Sequence, residues 1–308
     1  MAAPEQPAEP GYDSRVSVVV ITKDRRRELL RTLGLLCRLP SRPRVIVVDN
    51  GSQDGTPAAV RAIGPPVELI ALDRNLGAVG RNIGMRLVQT PYVAFCDDDT
   101  WWEPEALARA ADILDAHLGT AAVTGRILVE PGGREDPIVA ELRASPVVPG
   151  PGQPGPALGS ILAGASMLRV EAFRSVGGFH PRIWLGGEEE LLAADLLAAG
   201  WSLCYGEDVI VHHAPSTLRE STVRRRLGIR NTLWFLWLRR PWAAAARGSL
   251  GLARRVPKDT VSLRAFGEAA CGLGWVLRER RVVPSHVEDA YLALERSQRE
   301  SKARRYVG

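Results

Sequence analysis

The chain has 308 residues, 45% of them hydrophobic and 24% charged, so it can bury a substantial core and is neither a peptide, a small disulfide scaffold nor a disordered chain. Its net charge of +5 is unevenly spread, because Arg219 to Gly308 hold 20 Lys and Arg against 8 Asp and Glu, which leaves 20 against 27 for residues 1 to 218. Cys37, Cys96, Cys204 and Cys271 form no CxxC pair, which argues against a zinc ribbon, an iron–sulfur site or a disulfide framework and fits a reducing cytoplasm. Met1 to Pro10 lacks a basic start and an apolar run, so no cleavable signal is expected and residues 1–14 read as a flexible tail. No stretch reaches the ~18 apolar residues of a membrane span. The nearest, Leu233 to Ala246, is broken by Arg239-Arg240-Pro241.

Short apolar runs alternate with helical patterns through the first hundred residues. Val16 to Ile21 is a β-branched run followed by Leu29, Leu30, Leu33, Leu36 and Cys37 at helical spacing. Arg44 to Val48 ends in Asp49-Asn50-Gly51-Ser52, and Gly55-Thr56-Pro57 then starts a helix. Val67 to Leu72 leads through Asn75-Leu76-Gly77 into a helix with Arg81-Asn82, and Tyr92 to Cys96 stops at Asp97-Asp98-Asp99. Strands this apolar, separated by helices, predict a mainly parallel sheet covered on both faces. Ligands bind such a sheet beyond the carboxyl ends of its strands, where the four polar clusters fall.

Residues 131 to 159 hold seven Pro and six Gly and predict a long irregular connection. Beyond it come a helix from about Glu188 to Ala199 and two strands, Trp201 to Tyr205 and Val209 to Val211, the second ending in His212-His213. The extension after Thr217 alternates Arg224-Arg225-Arg226, Arg230, Arg239-Arg240 and Arg254-Arg255 with Leu227, Ile229, Leu233, Trp234, Phe235, Trp237 and Trp242.

The first strand runs into Thr22-Lys23-Asp24-Arg25, which is no GxGxxG turn, and the chain has neither a GxxxxGK[ST] loop nor a GxSxG elbow. Asp97-Asp98-Asp99 is the sharpest local signal. Crowded carboxylates keep their charge most easily around a hard cation, Mg²⁺ or Mn²⁺, whose shell is completed by water and phosphate oxygens, or else they form a solvated turn that caps the next helix.

These motifs, Val16 to Thr22, Val47 to Ser52, Asn75-Leu76-Gly77 with Gly80-Arg81-Asn82, Asp97-Asp98-Asp99 and Gly186-Gly187-Glu188-Glu189, resemble in order and spacing the family 2 glycosyltransferases of GT-A fold. The resemblance covers about residues 15 to 215. It implies an α/β, Rossmann-like fold and an enzyme that moves a sugar from a nucleotide diphosphate donor, UDP- or dTDP-linked, to an acceptor hydroxyl with inversion. It further implies that Thr22, Asp49, Arg81, Asp97 and Asp98 contact the donor, that Asp97 and Asp99 hold Mn²⁺ or Mg²⁺ with His212 or His213, His212 being favoured, and that Glu189, or else its neighbour Glu188, is the general base. Strand alternation sends the two imidazoles to opposite faces. Trp101, Trp102 and Trp184 suit sugar or acceptor faces and serve equally as core filling.

The expected organisation is a tail over 1–14, a GT-A domain over 15–216 with a nucleotide-sugar half (15–100) and an acceptor half (101–216), and a basic helical extension over 217–308. The acceptor is a glycan, a lipid-linked molecule or a small molecule. Basic residues beside Trp and Leu make the extension either an anchor on an anionic membrane, placing a cytoplasmic protein on the inner face, or helices packed back on the domain. Nucleic acid is not an expected partner, for want of a reader motif. A sugar nucleotidylyltransferase would want a Gly-rich loop after the first strand, where Thr22 to Arg27 has no Gly, and a non-catalytic binding module would not need its carboxylates intact.

Overall fold

The computed structural model describes residues 15–215 and 221–300; the expected tail over 1–14, the first residues of the extension up to 220 and residues 301–308 lie outside the described residues. Nine strands among them form one sheet: β1 (Val16–Thr22), β2 (Arg44–Asp49), β3 (Val67–Ala71), β4 (Tyr92–Asp97), β5 (Thr100–Trp102), β6 (Thr120–Val129), β7 (Arg134–Glu135), β8 (Ser166–Arg169) and β9 (Ser202–His213). Their order is β3-β2-β1-β4-β8-β6-β9-β5, with β7 on β6. The first four strands are parallel neighbours, whereas β8 runs antiparallel to both β4 and β6. Val18, Val19, Val20, Ile46, Val47, Phe95 and Cys96 are fully buried, as strands covered on both faces require.

Two local expectations change, and one strand is added. Residues 131–159 are not one irregular connection, because they hold β7 and a helix, Pro137–Arg143, whose N-cap Asp136 accepts from Ile138 N. The two strands expected after Trp201 are a single strand, β9, whose pairing with β6 jumps from Gly125–Gly206 to Arg126–Ile210; the extra residues bulge out without ending the ladder. The short β5 directly follows the acidic triplet and pairs with the end of β9, Trp101 opposite His212 and Thr100 opposite His213.

The extension consists of the helices Ser221–Arg239, Trp242–Arg255, Thr260–Cys271, Leu273–Glu279 and Ser285–Glu300. They share a second hydrophobic core with Ile183, Leu191 and Ala194 of the first region, built around Ile229, Leu233, Trp234, Phe235, Trp275 and Tyr291. Of the two readings of the extension, membrane anchor or helices packed back on the domain, Leu227, Ile229, Leu233, Trp234 and Phe235 follow the second, since all five are buried inside the protein. Only Trp242 of that series is exposed and Trp237 is half-buried. Among the described residues no helix is long and apolar enough to cross a membrane.

Candidate functional site

Parallel pairing sets the ends of β1, β2 and β4 side by side, with Thr22 opposite Asp49 and Ile21 opposite Asp97. The turn after β1 is stitched to the turn after β2. Asp24, at φ 51°, donates its N–H to Ser52 Oγ at 2.8 Å and accepts Gln53 N at 2.6 Å, while Lys23 Nζ donates to Gly51 O. A non-glycine residue in the left-handed region is tolerated here because both its backbone and its side chain are bonded across. Asp49 is buried; Oδ2 accepts Ser52 N at 3.0 Å, and Oδ1 has no hydrogen-bond partner among the described residues.

The acidic triplet is held by two arginines. Arg25 reaches Asp98 Oδ1 at 2.6 Å and Asp99 Oδ2 at 2.9 Å, and Thr22 Oγ1 donates to Asp98 Oδ2 at 2.9 Å. Burial pushes the Asp98 carboxyl up to about 7 against the pull of Arg25. Asp98 and the Thr22 hydroxyl therefore face each other inside the framework. Asp97 is half-exposed and accepts from Arg81 Nη2 at 2.5 Å. Arg81 is buried with its guanidinium 6.0 Å from the Phe95 ring centre and 5.5 Å from that of Phe179, so it lies against the acidic edge.

Gly186 and Gly187, at φ +77° and +86°, lead into the helix Glu188–Ala198, where a side chain at either position would be strained. Glu188 is buried and its Oε2 lacks a hydrogen-bond partner. Glu189 is half-buried and Oε1 accepts Ala163 N at 2.5 Å. Burial raises both carboxyls, and the neighbouring Glu188 and Glu190 raise Glu189 further, well above the ordinary glutamate range. The turn Ala163–Ala165 touches both acidic groups of the site, since a Cβ on Gly164 would stand 2.9 Å from Asp97 Oδ2.

Behind this helix, buried Asn231 of the extension donates to Leu185 O at 2.9 Å and Gly186 O at 2.6 Å. A Cβ on Gly187 would stand 3.1 Å from Asn231 Cβ. Arg239 grips Asp195 of the same helix at 2.5 and 3.0 Å.

The two histidines part as alternation requires. His213 Nε2 lies 3.8 Å from Asp99 Oδ1. His212 lies between Glu130, at 2.9 Å from Nδ1, and Glu103, at 3.3 Å from Nε2, and stacks on Trp101 at 5.3 Å. Of the two, His213 stands beside the acidic triplet and the favoured His212 does not. Trp101, also under the Arg31 guanidinium at 4.9 Å, lines an open cleft of about 580 Å³ with Leu30, Arg38 and His212; none of Asp97, Asp99 and Glu189 lines it. Trp102 is buried and donates to Cys96 Sγ at 3.1 Å, so it is core filling and no sugar contact. Trp184 donates to Asn75 O at 3.2 Å and its own carbonyl would meet a Cβ on Gly77 at 2.0 Å, which fits that glycine's φ of +59°.

Among the described residues no group of three or more His, Cys, Asp or Glu surrounds a metal position. Asp99 and His213 stand together at the strand end, and Mg²⁺ is commonly held by one or two carboxylates with substrate phosphates and water completing its shell.

The model of the family described as glycosyl transferase family 2 matches residues 17–177, more than half of the chain. The chain belongs to that family. An N-acetylglucosaminyl-diphospho-decaprenol L-rhamnosyltransferase of Mycobacterium tuberculosis is 27% identical over 277 residues, covering 76% of this chain and 90% of the relative. The succinoglycan biosynthesis protein ExoO of Rhizobium meliloti is 42% identical over 92 residues, 29% of this chain and 26% of that protein. Among solved structures, the mannosyltransferase PcManGT from Pyrobaculum calidifontis, in complex with GDP-Man and Mn²⁺, matches with a TM-score of 0.56 over 92% of this chain and 88% of its own, at 21% identity, which supports the fold. This family 2 enzyme transfers a sugar from a nucleotide sugar, and the nucleotidylyltransferase and non-catalytic readings lapse.

Its Glu188–Glu190 cluster and both histidines lie beyond the matched residues. Sequence reasoning missed Arg25, Asn231 and the Ala163–Ala165 turn. Arg25 stands three residues after Thr22, where a basic residue facing the triplet was open to inspection; Asn231 and the turn reach the site only through long-range packing.

Proposed function

We propose that this transferase moves a sugar in one inverting displacement, with Glu189 as general base and a divalent cation at Asp99 and His213. The observation that carries the reading is the Ala163–Ala165 turn, which contacts Glu189 through Ala163 N and leaves at Gly164 only the room a missing side chain allows beside Asp97. An acceptor hydroxyl bonded to Glu189 loses its proton to that carboxylate as its oxygen attacks the anomeric carbon, and the nucleotide diphosphate leaves from the opposite side. The raised proton affinity of Glu189 makes it the stronger base. A cation held by Asp99 and His213 would supply positive charge to stabilise the departing diphosphate. Arg25 holds the triplet in shape, and Arg81 neutralises Asp97 beside the transfer point.

Asp49 supports a uridine or thymidine diphosphate donor. Its buried Oδ1 is an acceptor open to the imino N–H of a base, and a buried acceptor without a partner is costly unless a ligand satisfies it; uracil or thymine follows from the family resemblance. The relative's decaprenyl diphosphate substrate favours a lipid-linked acceptor, and with it a cytoplasmic protein peripheral to the inner face of the membrane. The proposed boundaries are 15–100 for the nucleotide-sugar half, 101–216 for the acceptor half and 217–308 for the extension.

The test is a thermal-shift panel of UDP, dTDP and GDP with and without Mn²⁺, paired with a transfer assay. UDP or dTDP is expected to raise Tm in a Mn²⁺-dependent manner, since a ligand stabilises by RT ln(1 + [L]/Kd). Stabilisation by GDP alone would overturn the pyrimidine reading, and full transfer in EDTA would remove the cation.

A further inference from the structure

One part of the extension's surface is apolar and basic at once. In the helix Trp242–Arg255, Ala244 and Ala245 turn inward and Gly248 packs on Leu236, while Trp242, Ala246, Arg247, Leu250 and Arg254 recur on the outer side at helical spacing. Trp242 is 54% and Leu250 52% exposed. From Trp242 to Lys258 there are four basic residues and no acid.

A second stripe adjoins it. Thr260–Cys271 and Leu273–Glu279 continue through a helical Gly272, and their inner face is Ser262, Ala265, Ala269 and Val276. Leu263, Gly267, Ala270, Gly274 and Leu277 therefore share the outer face, all of them exposed, Leu263 at 75% and Leu277 at 56%. The stripe is ~20 Å long by helical rise and is flanked by exposed Arg278 and by Arg264, which pairs with Glu268 at 3.0 Å. Arg280 links the two, its guanidinium lying 3.8 Å from the Trp242 ring centre three residues beyond Leu277.

Leucines and a tryptophan exposed together on a water-facing surface mark a contact region. A second copy of the chain would set this basic surface against an equally basic one, because a two-fold interface repeats every arginine on both sides. An anionic bilayer supplies the opposite charge, takes Leu and the Trp ring at its headgroup boundary and draws in each nearby basic residue. We infer that helix Trp242–Arg255 and the Leu263–Leu277 stripe form the surface on which the protein rests on an anionic membrane. Its purpose rests on the lipid-linked-acceptor reading, since it holds the site beside the layer in which such an acceptor is anchored.

The test is co-sedimentation of the full chain with acceptor-free vesicles, phosphatidylcholine containing phosphatidylglycerol against phosphatidylcholine alone, at low and high salt. Wild-type protein is expected to bind the anionic vesicles at low salt and to be partly released by salt. Arg254→Gln with Arg255→Gln is expected to weaken the partition about thirtyfold, and Leu250→Glu with Leu277→Glu at least as much, without loss of Tm. No binding to anionic vesicles at low salt, or undiminished binding by both double variants, overturns the inference. So does a concentration-dependent dimer in sedimentation velocity that Leu277→Glu dissociates, which would give the face to a second copy. The acceptor reading is tested apart, by transfer to a polyprenyl diphosphate sugar in detergent micelles. Vesicle binding without that transfer sinks the acceptor and keeps the surface, and transfer without vesicle binding does the reverse.

Discussion

The sheet half and the helical extension of this transferase solve opposite problems. In the first, β-branched strands bury most of their apolar groups and run into polar residues at their carboxyl ends, so Thr22, Asp49 and Asp97 meet at one edge by register. In the extension, Trp, Leu and Arg are interleaved along each helix, and the same residue types end up in a core, at an ion pair or in water according to what lies opposite. A strand's neighbours fix the environment of each residue, whereas a helix only offers a face that another element must cover. The extension in turn props the helix that carries Glu188 and Glu189, through Asn231 and Arg239. The part that resembles the family least supports its proposed base.

The largest expected effect falls on that shared helix. Glu189→Gln is expected to lower kcat by roughly 10²–10⁴-fold while nucleotide binding by calorimetry is kept. Its stability should hold or rise. A carboxyl whose proton affinity is raised on folding adds stability below its unfolded pKa and loses it as pH rises through the folded value, so wild type should lose Tm across that window and the variant should not. The acid limb of the wild-type kcat/KM profile is correspondingly expected above ~4.3, the ordinary glutamate value. A limb at that value would remove Glu189 as the base.

Arg25→Ala strikes the sheet half alone. Two buried carboxylates, Asp98 and Asp99, would lose their shared guanidinium, a change that costs about 3–5 kcal/mol. Mn²⁺ should restore part of the lost Tm in the variant and less in wild type; indifference to the ion would argue against a cation beside Asp99.

Within the extension, Trp234 and Trp242 make the comparison sharpest. Trp234→Ala empties a buried position whose indole donates to Ala269 O at 3.1 Å, and is expected to cost about 3–5 kcal/mol in urea unfolding. Asn231→Ala leaves two carbonyls of the Leu185–Gly186 turn without their donor, for about 1–3 kcal/mol, with kcat reduced and nucleotide affinity kept. An unchanged kcat would confine Asn231 to holding the fold. Trp242→Ala removes an exposed ring stacked only by Arg280 and should cost no more than about 1 kcal/mol. Equal losses at the two tryptophans would erase the distinction between core and surface in this region.

Much of the fold was legible beforehand because its signals are local. A β-branched run followed by a helical pattern specifies a covered strand, and the triplet and the glutamate cluster announce themselves by charge density alone; β1 to β4 lie where those runs stand. Tertiary structure decided the rest, since each remaining feature depends on a partner far along the chain. Strand pairing chose His213 over His212, because only the ring on one face of β9 turns toward Asp99. Packing took Thr22 and Asp98 inward, set Trp102 in the core and brought Arg25 across 74 residues to Asp99. It also decided between the two readings of the Trp- and Leu-rich stretch after Leu227 in favour of the second core, because burial against Ile183 and Leu191 removes from water the same apolar area that a membrane surface would. Composition specifies how much apolar surface must be covered, and only the folded chain specifies by what.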